Sequence, residues 1–342
     1  MKPKRIIYFL IFLLLLITSC TNVEQNNFLE INGSTMGTTY SVKVVIDQST
    51  AQLNEIVLKE KIDSVLVIVN RQMSTYIPTS EISVFNNLES NKWFEISEDF
   101  AFVLYESIDI CKLSSGSLDI TVGPLVNIWG FGPDQRPRKI PSQTEIDSAM
   151  QLVGIQNLNV KLEPPSVMKG IANLEIDLSS TAKGFGVDKV FALLNELGYK
   201  NSMVEIGGEV RTSGLNHKNE KWKIGISEAD HSGAINKVVQ LSDLSMATSG
   251  DYWNYFEENG IRYSHTIDPR TGKPITHKLA SITVFDSTCL RADGFATALY
   301  VMGPEKAYDF AVEMELPVYM IVKKDTGFGT VKSPKFIELF EK

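Results

Sequence analysis

The sequence predicts a mixed α/β fold of the α+β kind, a single large two-lobed unit that follows an N-terminal export segment. Three observations lead there. Strand-like alternation and helix-like periodicity are interleaved along the chain without a strict βαβ rhythm. No internal repeat is present. The 342 residues are 43% hydrophobic and 22% charged, the ordinary balance of a chain that can bury a core. That balance excludes a mostly disordered chain, a collagen-like chain and a polytopic membrane protein.

The elements follow in order. Residues 1–20 begin with Lys2, Lys4 and Arg5, continue through an apolar run from Ile6 to Ile17 and end in small polar residues. Twelve apolar residues are too few for a usual span of roughly 20 but suit a signal-peptide core. The segment Thr21–Asn27 is polar and reads as a tether. Alternation at Thr39–Ile46 puts Tyr40, Val42, Val44 and Ile46 on one strand face. Helices are expected over Leu53–Val69 and Asp99–Leu113. Trp129–Pro141, with Gly130, Gly132, Pro133, Pro137 and Pro141, reads as a long loop. Leu174–Leu178 is a short buried-strand candidate. Val187, Val190, Phe191, Leu194 and Leu197 mark a helix stopped by Gly198. Strands are expected at Ser202–Ile206, Lys221–Ile226, Ile261–Ile267 and Ala280–Phe285. A long helix from about Ala292 to Met302, a shorter one over Glu305–Met314 and a strand at Pro317–Val322 complete the list.

The formal net charge is −8. Without residues 1–19 the balance is 30 basic against 41 acidic residues, or −11. No Lys/Arg cluster interrupts it, so a nucleic-acid surface is not expected. Beyond Cys20, only Cys111 and Cys289 remain. They could form a disulfide or stay two buried thiols, and no spacing suggests zinc.

Four clusters carry candidate chemistry. The first is Asp177-Leu-Ser-Ser180-Thr-Ala-Lys183-Gly-Phe-Gly186, between a strand and a helix. A helix N-terminus there, with Gly184 and Gly186 and the Lys183 charge, suits a phosphate. It matches neither the P-loop nor the Rossmann pattern. A helix capped by Ser179 or Ser180, with Lys183 in solvent, explains the same residues.

The second is Ala292-Asp293-Gly-Phe-Ala-Thr297. Four residues apart on a helix, Asp293 and Thr297 share a face. Carboxylate, hydroxyl and carbonyl oxygens suit Mg²⁺ rather than zinc or copper. Taken alone, the cluster reads better as Asp293 stabilising a helix N-terminus and Thr297 packing inward. The third is Arg262-Tyr-Ser-His265-Thr-Ile-Asp268-Pro-Arg270-Thr-Gly272. A strand would put Ile261, Tyr263, His265 and Ile267 on one face, which favours a core histidine. The polar Thr266, the turn that follows and Arg270 weigh for a general base. His217, His231 and His277 fall in polar, loop-like contexts and are expected to face solvent. The fourth joins Gly33-Ser-Thr-Met36-Gly37-Thr38, Met73-Ser-Thr-Tyr76 and Gly116-Ser117-Leu118-Asp119. Their apolar side chains could cover a flat ring to which Asp119 bonds, although Met73 reads best as ordinary core.

Seven segments stand in one order: GSTMGTTYSV, MSTYIPTSEISVFN, GSLDITVGPLVNIWGFGP, IDLSSTAKGFGVDKV, VEIGGEVRTSG, ATSGDYWNYFEENGIRYSHTIDPRTGKPI and ADGFATALYVMG. Together they resemble the signature set of the bacterial FAD:protein FMN transferases, also called the thiamine-biosynthesis lipoproteins. The resemblance runs from about Gly33 to Gly303. Leu16-Ile17-Thr18-Ser19-Cys20 likewise resembles a bacterial lipobox.

The resemblance implies a flavin-transferase-like domain over 31–342, after a lipoprotein signal peptide at 1–19 and a lipidated tether at 20–30. It implies Mg²⁺-dependent cleavage of FAD, transfer of FMN to a Thr or Ser hydroxyl of an acceptor protein, and release of AMP. By motif position, Met36, Tyr76, Ser117, Leu118, Asp119, Asp177, Lys183 and Ile267 would contact FAD. Ser180, Asp293 and Thr297, with the Ala296 carbonyl, would hold Mg²⁺, and His265 fills the base position. Ser180 and Thr181 stand where relatives vary, and Gly294 follows the metal aspartate; Ser180 keeps an oxygen donor. Cys20 would carry the lipid and fix the protein to a membrane, facing the extracytoplasmic space. Acceptors implied are subunits of Na⁺-translocating NADH:quinone reductase or Rnf-type complexes. An Mg²⁺-dependent FAD pyrophosphatase, or a non-catalytic FAD-binding lipoprotein, would use the same residues.

Overall fold

The computed structural model describes residues 27–46, 54–133, 138–230, 232–250, 255–258 and 261–341. The signal segment, Cys20, the first part of the tether, Leu53 and His231 lie outside the described residues, as do four residues of the 129–141 loop. A strand begins at Asn27, within the span expected for the tether.

The centre is an eight-stranded sheet in the order β1 (Asn27–Thr35), β2 (Thr38–Ile46), β6 (Ser202–Ile206), β7 (Glu209–Ser213), β10 (Ser245–Gly250), β15 (Leu279–Asp286), β16 (Val318–Lys323) and β17 (Phe328–Lys332). Every neighbouring pair is antiparallel. Period-2 alternation divides these strands between two cores. In β16, Val318 and Met320 face one cluster while Tyr319 and Ile321 face another.

The first sheet face carries α1 (Glu55–Met73), α3 (Glu98–Leu113), α6 (Ala182–Glu196), α7 (Cys289–Met302) and α8 (Pro304–Glu313). Val42 and Val44 of β2 pack there against Leu58 and Ile62 of α1 and Val187 and Val190 of α6. The second face is covered by the ribbon of β8 (Trp222–Ser227) and β9 (Ile235–Leu241) and by α9 (Pro334–Phe340), whose Phe336 is fully buried.

A separate small core joins Leu125 of α4 (Gly123–Ile128) to Trp129, Ile146 of α5 (Gln143–Met150) and Ile267. The sheet β3 (Phe94–Glu95), β5 (Pro165–Lys169), β4 (Leu158–Leu162), the helix α2 (Glu81–Asn86) and the pairs β11 (Tyr255–Glu258) with β12 (Ile261–Ser264) and β13 (Ile267–Asp268) with β14 (Lys273–Pro274) complete the fold. No helix among the described residues is long and apolar enough to cross a membrane.

The mixed fold class agrees with the sequence expectation, and most expected elements lie within a few residues of their observed bounds. Three differ. Leu174–Leu178 alternates between buried and half-buried like a strand but joins no ladder. Its backbone is satisfied otherwise: Ile176 donates to Asn86 Oδ1 at 2.8 Å, Asn86 Nδ2 donates back to Ile176 O at 2.9 Å, and Asp177 N donates to Ile120 O at 2.7 Å.

The strand expected over Ile261–Ile267 breaks after Ser264. Ser264 Oγ accepts the Thr266 N–H at 3.1 Å, a side-chain turn that bends the chain out of extension. The helix expected from Ala292 begins at Cys289, capped by Thr288, whose hydroxyl accepts from Arg291 N. Asp293 therefore sits in the second turn and does not cap its own helix.

Candidate active site

Two hairpin tips border the site. Residues 35–38 join β1 to β2 through Met36 (φ 49°) and Gly37 (φ 73°), the pair of positive φ values that a two-residue hairpin turn uses. The β6–β7 tip is Gly207-Gly208, again with positive φ at both residues. A Cβ on Gly207 would lie 2.8 Å from Thr38 Cγ2, so only glycine lets the two tips touch. Glu209 follows that turn directly and points beneath it.

A cavity of about 490 Å³ opens where the second of these tips meets α6 and α7. Lys183 and Ser180 reach it from the start of α6, and Asp293 and Thr297 from one face of α7. Ser117, Leu118 and Asp119 enter from the turn between α3 and α4, Asp177 from the extended segment, and His265 and Ile267 from the broken strand. Met36 and Tyr76 line an adjoining cavity of about 660 Å³, which shares Asp177, Ser179 and Lys183 with the first. Ala296 is fully buried behind Thr297 and does not line the cleft. The structure thus brings together every other residue singled out for flavin, metal or proton handling.

Both helices are closed at the site by partners from elsewhere in the chain. Neither Ser179 nor Ser180 caps α6. Its first residue follows Thr181, which makes no side-chain cap and whose hydroxyl accepts from Ser107 Oγ at 3.1 Å. Asp293 Oδ2 accepts the Gly184 N–H at 3.0 Å instead. A Cβ on Gly184 would press on the Cys289 carbonyl and stand 2.9 Å from Asp293 Cβ. Lys183 is half-buried and is not left free in solvent: its Nζ donates to Glu209 Oε1 at 2.6 Å.

Burial alone would lower the Lys183 ammonium, but the charges of Asp293 and Glu209 overcome it and hold the group above its ordinary value. Burial pushes the Glu209 carboxyl up to about 7, Asp293 adding to the rise and Lys183 opposing it. Asp293 is likewise raised by burial, against Lys183 and the Gly184 N–H. Asp119 is raised by burial too, while its Oδ1 accepts from Thr121 N at 2.8 Å and Thr121 Oγ1 at 2.6 Å. Asp177 holds the next turn by accepting from Ser179 N at 2.7 Å.

His265 stands in the bend at the cleft wall with Phe131 edge-on at 6.3 Å between ring centres. An aromatic run of Trp129, Tyr263, Phe256 and Phe131 backs it. The other two described histidines do not simply face solvent. His217 stacks on Phe28 at 4.5 Å, and His277 lies edge-on to Tyr300 while accepting from Leu279 N at 3.3 Å. Met73 is buried core, as expected, and also lines the second cavity. Cys111 and Cys289 are free, buried thiols.

Sequence reasoning passed over Glu209 and Ser249. Ser249 Oγ lies 3.3 Å from Thr297 Oγ1, and both line the cleft. For Glu209 the signal was present: a Gly-Gly pair between two strand patterns marks a hairpin tip, and the residue after it is held at the sheet end.

Among the described residues no three His, Cys, Asp or Glu side chains gather as a metal cluster. The oxygens facing the cleft are of another kind: the buried Asp293 carboxylate with the Thr297 and Ser180 hydroxyls. All are hard donors, which fit Mg²⁺ or a similar cation and not a soft metal. Ser117 Oγ and Glu209 Oε2 are buried here with no hydrogen-bond partner, the state of a site built to receive a polar ligand.

Comparison with known proteins places this geometry. A model of the ApbE family matches residues 36–320. The FAD:protein FMN transferase of Haemophilus influenzae is 45% identical over 323 residues, 93% of either chain. The Escherichia coli K12 protein of the same name is 38% identical over 311 residues, 90% of this chain and 87% of that one. The structure of the flavin transferase ApbE from Vibrio cholerae superposes with a TM-score of 0.85 at 41% identity, covering 92% of this chain and all of the other. The apo flavinyl transferase ApbE of Pseudomonas stutzeri gives 0.86 at 36% identity, over 93% and 98% of the two chains.

Proposed function

Because the chain belongs to the ApbE family and is an FAD:protein FMN transferase, we propose that its cleft carries out Mg²⁺-assisted transfer of FMN from FAD to an acceptor hydroxyl, with release of AMP. The observation that carries this reading is the convergence of Lys183, Asp293, Thr297 and His265, drawn from three separate segments, on one cavity.

The chemistry follows from charge. The oxygen of an acceptor Thr or Ser forms a bond to the flavin-side phosphorus as the bond to the bridging oxygen breaks. AMP leaves with that electron pair, and the hydroxyl proton passes to His265 acting as base. Lys183 is held charged beside the phosphates and offsets the negative charge that grows on them. Asp293, Thr297 and Ser180 would hold Mg²⁺, which when bound supplies further charge stabilisation at the transferred phosphoryl group. Met36 and Tyr76 cover the flavin from the adjoining cavity, while Asp119 and Ser117 meet its polar edge.

The acceptor in this reading is an extracytoplasmic subunit of a membrane redox complex of the Na⁺-translocating NADH:quinone reductase or Rnf type. Cys20 carries the lipid that fixes the enzyme to the membrane. Support for the anchor is the apolar run Ile6–Ile17 ending at Cys20.

The test supplies FAD and Mg²⁺ with and without an acceptor domain, and follows AMP and covalent, fluorescent flavin. Labelled acceptor that disappears on chelation is the expected result. AMP released equally well without any acceptor would replace this reading with a pyrophosphatase, and FAD bound without AMP would leave a binding protein.

A further inference from the structure

The buried charges around the cleft floor do not balance. Three carboxylates, Asp188, Glu209 and Asp293, all act on the fully buried Cys289 thiol and so lie in one neighbourhood. Two cations face them. Arg211 pairs with Asp188, and Lys183 pairs with Glu209 Oε1 at 2.6 Å. Asp293 has no ion pair of its own; Oδ2 is occupied by the Gly184 N–H. One carboxyl group is left without a cation of its own in a place where an unpaired charge is costly, and burial raises all three.

Glu209 is the residue whose role this leaves open. Its side chain is 2% exposed, it lines the cleft, and Oε2 has no hydrogen-bond partner. A tether for Lys183 needs one carboxylate oxygen and would not require the second to stay bare. A bare, buried carboxylate oxygen beside a second carboxylate is what a divalent cation neutralises.

Resting on the cation site proposed above, we propose that Glu209 supplies a second carboxylate to that site, its Oε2 meeting the ion or the ion's bound water while Oε1 holds Lys183. The residue then couples two cations: it places the ammonium at the phosphates and the metal next to it. The Gly207-Gly208 tip is the device that aims it, since that turn fixes where the first residue of β7 projects.

Mn²⁺ as a spin probe tests this on the full chain, by titration with and without FAD. Glu209→Gln is expected to weaken Mn²⁺ binding by roughly tenfold or more. Mn²⁺ binding unchanged from the parent would overturn the proposal.

Should Glu209→Gln alone fail to fold for want of a partner for Lys183, the comparison moves to Lys183→Met against Lys183→Met/Glu209→Gln. The single variant is expected to bind Mn²⁺ at least as well as the parent and the double variant roughly tenfold less well. Equal affinities in that pair would also overturn the proposal. Asp293→Asn separates the two readings. Loss in Asp293→Asn with none in Glu209→Gln removes Glu209 and keeps the cation site. No loss in either removes both.

Discussion

Asp188 and Asp293 cap each other's helices. Asp293 of α7 accepts the Gly184 N–H in the first turn of α6 at 3.0 Å, and Asp188 of α6 accepts the Cys289 and Leu290 N–H groups that open α7, at 3.0 and 2.9 Å. Each carboxylate lies at the positive end of the other helix, where a negative charge is favourable. The exchange locks the two helices so that Lys183 and the Asp293–Thr297 face open on one cavity.

Asp188→Ala removes two charged hydrogen bonds and leaves Arg211 unpaired. A loss of roughly 1.5–3 kcal/mol or more is expected, read as a lower urea midpoint. A change below about 0.5 kcal/mol, the scale of an ordinary surface substitution, would mean that the cap is ornamental.

Gly184→Ala probes the approach of the same helices. The added methyl has no room between the Cys289 carbonyl and Asp293 Cβ, so overpacking of about 1–3 kcal/mol is expected, together with weaker FAD binding as Lys183 is displaced. Normal stability would show that α6 and α7 are free to part.

The thiols give a pH test. Burial pushes Cys111 up to about 12 from an ordinary 9.0, and burial likewise raises Cys289. In the unfolded chain each thiol ionises first, so above pH 9 that state binds fewer protons than the folded one. Stability should then fall as pH rises from about 9 toward 12. At pH 8 neither native thiol should react with an alkylating reagent on the time scale of a free cysteine, and both should react after denaturation. Rapid labelling of the native protein would contradict their burial.

His265→Ala should bind FAD with parental affinity and transfer FMN roughly 10²–10⁴-fold more slowly. An unaltered transfer rate would reduce His265 to a packing partner of Phe131.

Local pattern carried much of this fold. Alternation in residues 39–46 and the 3.6-residue spacing through Val187, Val190 and Leu194 each reported a buried face, and the structure has those faces. What sequence could not display is who completes whom. The partner of Ile176 is Asn86, 90 positions earlier, and the cap of α6 comes from Asp293, 109 positions later. Such pairings leave no local period. His265 was expected on a strand because the alternation around it is good; a single serine hydroxyl, Ser264 Oγ, breaks that strand and turns the ring to the cleft. Glu209 was overlooked for a related reason, since an acidic residue after a turn reads as solvent-facing until the second hairpin tip closes over it.

The cavity walls run from Met36 in the first hairpin to Val301 in α7, so nearly the whole chain must be in register before the cleft exists. Closing contacts that distant in sequence carries an entropic cost that slows folding. A fragment cut between those limits lacks part of the wall. A ligand that fills the cleft therefore stabilises the molecule as a whole, and its binding should raise one global melting transition instead of protecting a local segment.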